Sequence, residues 1–127
     1  MSALVLDAGA LMAVDRSDRT MIARLQAARQ HGLELRTSAI VLAQVWRDPN
    51  GRQAELARLL RAIDVRSVDE RLGREAGILV ALSKTSDPID ATVVLIASNG
   101  DRILTSDPRD LKRLASAGRK RIAVIPC

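Results

Sequence analysis

The sequence predicts an α/β fold: a three-layer sandwich in which a central parallel sheet of about four to five strands is flanked by helices. Short apolar or alternating segments occur in turn with longer stretches of helical spacing, which is typical of repeated strand–helix units. The first apolar segment, residues 4–6, is uninterrupted, as expected for a central strand buried on both faces. With 127 residues, the chain is long enough to bury a core and is expected to form a single domain over residues 1–127.

Strands are predicted where short apolar or alternating segments stand between polar turns. Residues 33–37, for example, alternate apolar and charged side chains, as a strand with two different faces does. The predicted strands cover residues 4–6, 33–37, 65–68, 102–105 and 121–125.

Helices are predicted where apolar residues recur three or four positions apart, mostly after a residue that commonly caps a helix. They cover residues 8–14, 20–30, 39–47, 53–63, 69–83, 91–97 and 111–117. The candidate caps are Ser17 or Asp18, Thr37 or Ser38, Asp69, Asp87 and Asp107. Residues 53–63 divide most clearly into an apolar and a charged face. Gly32 is expected to end the second helix, and Asp-Pro-Asn-Gly at residues 48–51 predicts a turn.

The composition limits the classes of function. A net charge of +5 and a pI near 10.6 favour a polyanionic partner, and a surface that is basic only for solubility accounts for the charge equally well. One Trp and no other aromatic residue argue against single-strand binding by base stacking. The single His31 and the single Cys127 exclude a multi-histidine zinc site and a cysteine cluster. Neither a signal peptide nor a membrane-spanning segment is predicted, so we expect a cytoplasmic protein that does not enter a membrane.

Aspartates stand where predicted strands end or predicted helices begin. Asp7 follows the strand 4–6 and Asp107 follows the strand 102–105, so both are expected at the carboxyl edge of the sheet, where such folds bind ligands. Asp90 begins a helix whose N-terminus is expected to point toward the same edge. Three or four carboxylates that converge there cannot all stay ionised without a cation, and oxygen ligands favour Mg²⁺ or Mn²⁺.

The alternative interpretation is that these aspartates only cap helices. Residues 86–90 are Ser-Asp-Pro-Ile-Asp and residues 106–110 are Ser-Asp-Pro-Arg-Asp. In each segment an Asp stands at the N-cap, a Pro at N1 and a second Asp at N3, which is a favourable helix start. Asp7 can likewise cap the turn that follows it, by accepting hydrogen bonds from Gly9 or Ala10. The residues alone leave both interpretations open.

The chain resembles a PIN domain of the small toxin ribonuclease type that occurs in bacterial VapBC toxin–antitoxin pairs. The resemblance covers essentially the whole length and rests on three short motifs in this order. They are Leu-Val-Leu-Asp at residues 4–7, Asp-Ala at residues 90–91 before an apolar helix, and Ile-Leu-Thr-Ser-Asp at residues 103–107.

The resemblance implies a metal-dependent endoribonuclease that cleaves RNA phosphodiester bonds. It carries over Asp7, Asp90 and Asp107 as the catalytic acids that bind Mg²⁺ or Mn²⁺, and Thr105 as a hydroxyl residue that supports the last acid. Weaker candidate ligands beside the matched positions are Asp87 and Asp110.

One position departs from the family pattern. The helix after the second strand usually offers a Glu to the acid cluster, and the corresponding residue here is Gln44. An amide can bind a metal ion through its oxygen but carries no charge, so metal binding is expected to be weaker unless Asp87 compensates. The alternative function is therefore a catalytically weak or inactive PIN-like module that binds RNA or a protein partner.

The resemblance also implies three partners: RNA, a small antitoxin that occupies the cleft, and a second copy of the chain in a homodimer. Arg47 and Arg109 lie close in sequence to the candidate acids and are expected to bind flanking phosphates, unless they are ordinary surface residues. Trp46, Val45 and the leucines of residues 53–63 are candidates for the antitoxin or the dimer surface, with core packing as the alternative for the leucines.

Overall fold

A central sheet with helices on both sides makes up the computed structural model, which describes residues 2–48 and 50–127. The strands are β1 (Ala3–Leu6), β2 (Glu34–Ser38), β3 (Asp64–Arg66), β4 (Arg102–Thr105) and β5 (Ala123–Pro126). The helices are α1 (Ala8–Asp15), α2 (Arg19–Gln30), α3 (Ala39–Val45), α4 (Ala54–Leu60), α5 (Glu70–Ser83), α6 (Pro88–Leu95) and α7 (Pro108–Ala117). Pro49, which belongs to the turn predicted at residues 48–51, lies outside the described residues.

The predicted three-layer α/β sandwich is confirmed. The strands pair in parallel throughout, in the order β3-β2-β1-β4-β5, so β1 occupies the centre as its uninterrupted apolar sequence indicates. Helix α1 packs against α2, α3 and α4, whereas α5, α6 and α7 pack against one another. These two groups of helices form the outer layers.

The core is aliphatic because the chain has almost no aromatic residues to place in it. Val5 and Leu6 of β1 are fully buried, and Leu11, Ile103 and Leu111 pack around them in the same cluster. Full burial of each such side chain contributes about 1.5–3 kcal/mol. None of the helices in the described part of the chain is long and apolar enough to cross a membrane.

Helix α3 ends at Val45, two residues before the predicted end. The guanidinium Nη1 of Arg47 donates to the carbonyls of Ala43 (2.7 Å) and Trp46 (2.8 Å), and the Arg47 backbone N–H donates to Oε1 of Gln53 (2.7 Å). The two guanidinium bonds satisfy carbonyls at the end of α3. The chain then leaves the helix in an extended conformation at Trp46.

Helix α4 is shorter than the predicted span of residues 53–63. Gln53 stands before its first turn, because the side-chain Nε2 donates to the carbonyl of Val45 (2.9 Å) and to Oδ2 of Asp15 (3.0 Å). Residues 61–63 form a turn that leads into β3. Tertiary hydrogen bonds, which a local pattern does not report, therefore set the start of α4.

A buried arginine joins the amino ends of neighbouring strands. Arg36 extends from the middle of β2, and its guanidinium pairs with Asp64 (3.3 Å), Asp101 (3.5 Å) and Glu34 (3.6 Å). It also donates to the carbonyl of Ile96 at the end of α6 (3.1 Å). The strand pattern of residues 33–37 predicts a charged outer face, but α6 covers this side of the strand and converts it into a buried ion-pair network.

The sheet register sets the position of the candidate site. β1 and β4 are neighbours, with Leu6 opposite Leu104. The residues that follow, Asp7 and Thr105, consequently meet at the carboxyl edge of the sheet.

Candidate active site

Asp7 is buried at the end of β1, and both of its carboxylate oxygens accept hydrogen bonds. Oδ1 accepts from the backbone N–H groups of Gly9 (2.9 Å) and Ala10 (3.3 Å). Oδ2 accepts from the hydroxyl of Thr105 and from the backbone N–H of Ser106 (3.3 Å). Burial raises the pKa of Asp7, and these hydrogen bonds, that of Thr105 foremost, act in the opposite direction. Asp7 is thus a helix cap and also a carboxylate anchored to the end of β4.

At the start of α6, one aspartate caps the helix and another, the second candidate acid, does not. Oδ1 of Asp87 accepts from the backbone N–H groups of Ile89 (2.8 Å) and Asp90 (3.4 Å), and Pro88 occupies the first helical position. Asp87 therefore does the capping. The half-buried carboxylate of Asp90 accepts no hydrogen bond from another described residue, so it is available to a ligand.

Helix α7 begins in the same way. Oδ1 of Asp107 accepts from the backbone N–H of Asp110 (3.4 Å), and the Asp107 backbone N–H donates to Oγ1 of Thr105 (2.9 Å). The Thr105 hydroxyl in turn donates to Asp7. One buried hydroxyl therefore connects the acid that ends β1 to the acid that begins α7.

The acids converge at this edge of the sheet. Carboxylate oxygens of Asp90, Asp107 and Asp110, one from each residue, all lie within 4.8 Å of one another. Burial, together with the negative charges of Asp87, Asp7, Asp107 and Asp110, raises the pKa of Asp90 to about 7. Asp7 is not in the tightest group of three, but its charge acts on Asp90 across the same space.

The donor set fits a divalent cation. Oxygens bound to one Mg²⁺ at 2.0–2.1 Å lie about 2.9 Å apart when adjacent and about 4.2 Å apart when opposite, so the three carboxylates, now within 4.8 Å of one another, would draw together around the ion. Several carboxylates with no neutralising cation among them would oppose one another's ionisation, as the raised pKa of Asp90 indicates. Carboxylate oxygens favour Mg²⁺ or Mn²⁺ over softer metals. Asp90, Asp107 and Asp110 are the residues that could hold the ion, with Asp7 and Asp87 beside them.

Other sequence-predicted residues are placed less centrally. Gln44 is half-buried on α3, and its side chain makes no hydrogen bond to another described residue. Arg47 is exposed and donates to carbonyls of its own helix end. Arg109 is exposed in the first turn of α7, between Asp107 and Asp110.

Buried hydroxyls at the same edge were not among the sequence-predicted site residues. The hydroxyls of Ser38 and Thr92 lie 2.9 Å apart and bond to each other, and the hydroxyl of Thr37 donates to the carbonyl of Leu6 (2.8 Å). These bonds join the ends of β1 and β2 to α6, the helix that carries Asp90. Ser38 was assigned only as a helix cap, yet at the N-cap position its side chain makes no capping bond because Thr92 engages it. The only signal in the sequence is the polar pair at the end of an otherwise buried strand.

Sequence comparison finds no matching family model and no matching curated protein. Structural comparison finds the fold of VapBC2 from Rickettsia felis, whose crystal structure was determined bound to a DNA fragment from the promoter. The similarity has a TM-score of 0.71 and covers 98% of this chain and 98% of that chain, at 12% sequence identity. The chain therefore has the VapC-type PIN fold that its motifs predict, and at this level of identity the likeness concerns the fold.

Proposed function

We propose that this protein is a metal-dependent endoribonuclease and the toxin of a toxin–antitoxin pair. The observation that carries the proposal is the convergence of Asp90, Asp107 and Asp110 within 4.8 Å, at the edge of the sheet where Asp7 ends β1. An acidic pocket in a chain of net charge +5 suits hydrolysis of a polyanion, because the pocket binds the cation while the basic surface attracts the phosphates.

The residues of the site have separate roles in this mechanism. Asp90, Asp107 and Asp110 would hold the ion. When bound, Mg²⁺ or Mn²⁺ would supply Lewis-acid chemistry for hydrolysis of the scissile phosphate. Asp7, fixed in place by Thr105 and by three backbone N–H groups, would add its negative charge beside the ion-binding acids.

Two protein partners follow from the same proposal. Exposed apolar side chains on α1, α3 and the residue after α3 are candidates for contact with a small antitoxin: Met12, Ile40 and Trp46. Ile78 and Leu82 are 61% and 66% exposed and stand four residues apart on one face of α5, which suits a homodimer contact. Val45 and Leu56 are buried, so they belong to the core and not to either surface. The likeness to a VapBC complex supports the antitoxin.

A second candidate function is a binding module that does not cleave. Gln44 favours it, since a neutral amide stands where the family pattern has a carboxylate. Asp110, one of whose carboxylate oxygens lies within 4.8 Å of oxygens of Asp90 and Asp107, would offset that loss. We therefore expect the site to bind metal and to remain active, and we expect Gln44→Glu to tighten Mn²⁺ binding, because it restores the carboxylate of the family pattern.

The test is cleavage of a mixed panel of RNA oligonucleotides by purified protein in Mg²⁺ or Mn²⁺. EDTA and the Asp90→Asn variant should each abolish cleavage. Asp69→Asn is the matched control, since Asp69 caps α5 (Leu72 N–H to Oδ1, 2.8 Å) away from the acid cluster, and it should cleave normally. A folded protein that neither binds Mn²⁺ nor cleaves RNA would contradict the nuclease and favour the binding module. If Gln44→Glu then restored cleavage, the missing carboxylate at position 44 would be the cause of the inactivity.

A further inference from the structure

A cleft lies between α2 and the strands on the side of β5. It has a volume of about 300 Å³, and its floor is apolar. The floor residues are Leu4, Leu33, Leu104 and Ile125. The register explains this floor, because Leu4 stands beside Arg102 and Leu104 beside Ile125, so the side chains share one face of the sheet.

One wall of the cleft is a single face of α2. Arg24, Ala27 and Ala28 line it, and His31 continues the face just beyond the helix end. The spacing of three, four and seven positions puts these residues on one side of the helix. The two alanines leave room between the wall and the floor, whereas the guanidinium of Arg24 provides a cation at the rim.

The strand side of the cleft carries a second arginine. Arg102 begins β4 and is exposed beside Ala123 of the edge strand. Neither Arg24 nor Arg102 has an ion-pair partner in the described part of the chain, and no carboxylate lines the cleft. Both guanidinium groups are therefore free to bind an anion from outside.

Strand β4 connects the cleft to the acid cluster. From Arg102, β4 runs to Thr105, whose hydroxyl bonds to Asp7, a distance of roughly 10 Å at 3.3 Å per residue. The neighbouring strand ends at Cys127, whose backbone N–H donates to the carbonyl of Thr105 (2.9 Å).

We infer that this cleft binds the single-stranded RNA that extends from the acid site, with Arg24 and Arg102 on successive stretches of its phosphate backbone. The inference rests on the proposed ribonuclease function. Guanidinium groups bind phosphates through paired hydrogen bonds, and an apolar floor without aromatic rings gives contact without base stacking. Binding in the cleft is consequently insensitive to base sequence. Arg47, whose Nη1 already donates to two carbonyls at its own helix end, contributes less than the sequence predicts.

The experiment measures binding of a fluorescein-labelled, mixed-sequence RNA 12-mer by anisotropy in EDTA at several salt concentrations. The cleft variant is Arg24→Gln/Arg102→Gln. The matched control is Lys112→Gln/Arg113→Gln, which removes the same charge from exposed positions of α7 that have no ion pair among the described residues. Each phosphate contact on a single strand contributes about 0.7 to the slope of log K against log salt, so the cleft variant should lose about 1.4 of that slope and bind about tenfold more weakly.

The outcomes separate the two proposals, because binding in EDTA needs neither metal nor cleavage. Selective loss of RNA affinity in the cleft variant supports the cleft whether or not the wild type cleaves in Mn²⁺. Equal loss in both double variants would show a general charge effect and overturn the inference. It would also be overturned if the cleft variant kept its RNA affinity but lost affinity for poly-L-glutamate, since the cleft would then fit an acidic protein segment.

Discussion

The hydroxyl of Thr105 donates a hydrogen bond to Oδ2 of Asp7 across 98 positions of sequence. The two residues end adjacent strands, β4 and β1, and neither is accessible enough for water to replace the bond. This contact joins the first and last parts of the chain at the carboxyl edge, where the acids meet.

Replacing Thr105 by Val should uncouple Asp7 from α7. The shape is retained, but Asp7 loses its strongest hydrogen bond and the Asp107 N–H loses its acceptor. We expect a loss of about 1.5–3 kcal/mol in the free energy of unfolding, measured by urea denaturation, and weaker Mn²⁺ binding. Thr105→Ser keeps the hydroxyl and should behave nearly as the wild type. Equal losses in both variants would mean that packing of the methyl group, and not the hydrogen bond, is what matters.

The raised pKa of Asp90, about 7, makes the stability of the folded protein fall as pH rises. The folded protein holds this proton more tightly than the unfolded chain, whose Asp titrates near 3.8. The contribution is therefore fully present below about pH 3.8 and is lost as pH rises through 7. In EDTA, the urea midpoint should fall between pH 5 and 8, and Mg²⁺ or Mn²⁺ should reverse the fall.

Asp90→Asn is the control for this titration. An amide has no proton to lose in this range, so the variant should lose part of the pH dependence and most of the stabilisation by metal. Since burial also raises the pKa of Asp7, a residual slope of the same sign is expected. A variant with the full wild-type pH profile would show that Asp90 is not the titrating group.

Gly9 is required because Ser106 lies too close to leave room for a side chain, and not because of the backbone conformation of Gly9. A Cβ atom at this position would lie 2.6 Å from Cβ of Ser106, whose backbone N–H bonds to Asp7. Gly9→Ala should cost about 1–3 kcal/mol in the free energy of unfolding, because the segment after β4 must move. Gly73→Ala, in open space on α5, should be neutral or stabilise by up to about 1 kcal/mol. Ser106→Gly should rescue Gly9→Ala, and failure of that rescue would point to a different clash.

Arg36 should be far more important for stability than an exposed arginine of the same sheet. Arg36→Met would leave Asp64, Asp101 and Glu34 without their shared cation, at a cost of about 3–5 kcal/mol in urea denaturation. Arg66→Met removes an exposed partner of Asp64 and should cost about 0–1 kcal/mol. Similar costs for the two variants would contradict the buried network.

Much of the candidate site was predictable because its parts are local. Asp-Pro at the start of α6 and of α7 defines two helix starts whatever the tertiary structure is, and the apolar run of β1 ends at Asp7. The caps and the acid cluster then prove compatible: Asp87 and Asp107 cap their helices while Asp90 is left for a ligand. Capping and a place in the acid group, treated as alternatives at the level of sequence, are compatible: Asp107 does both, and Asp90 belongs to the group without capping.

The sequence by itself determined the strands, the helices and their alternation, since hydrophobic period and capping act over a few residues. Only the tertiary structure decided which carboxylates come within 4.8 Å, a group that includes Asp110, and which charged residue is buried, namely Arg36. It also decided that Arg24 and Arg102 face one cleft. The physical reason is the order of strands: β1 pairs with β4, and the groups that meet there are separated by most of the chain, so no local pattern records their contact.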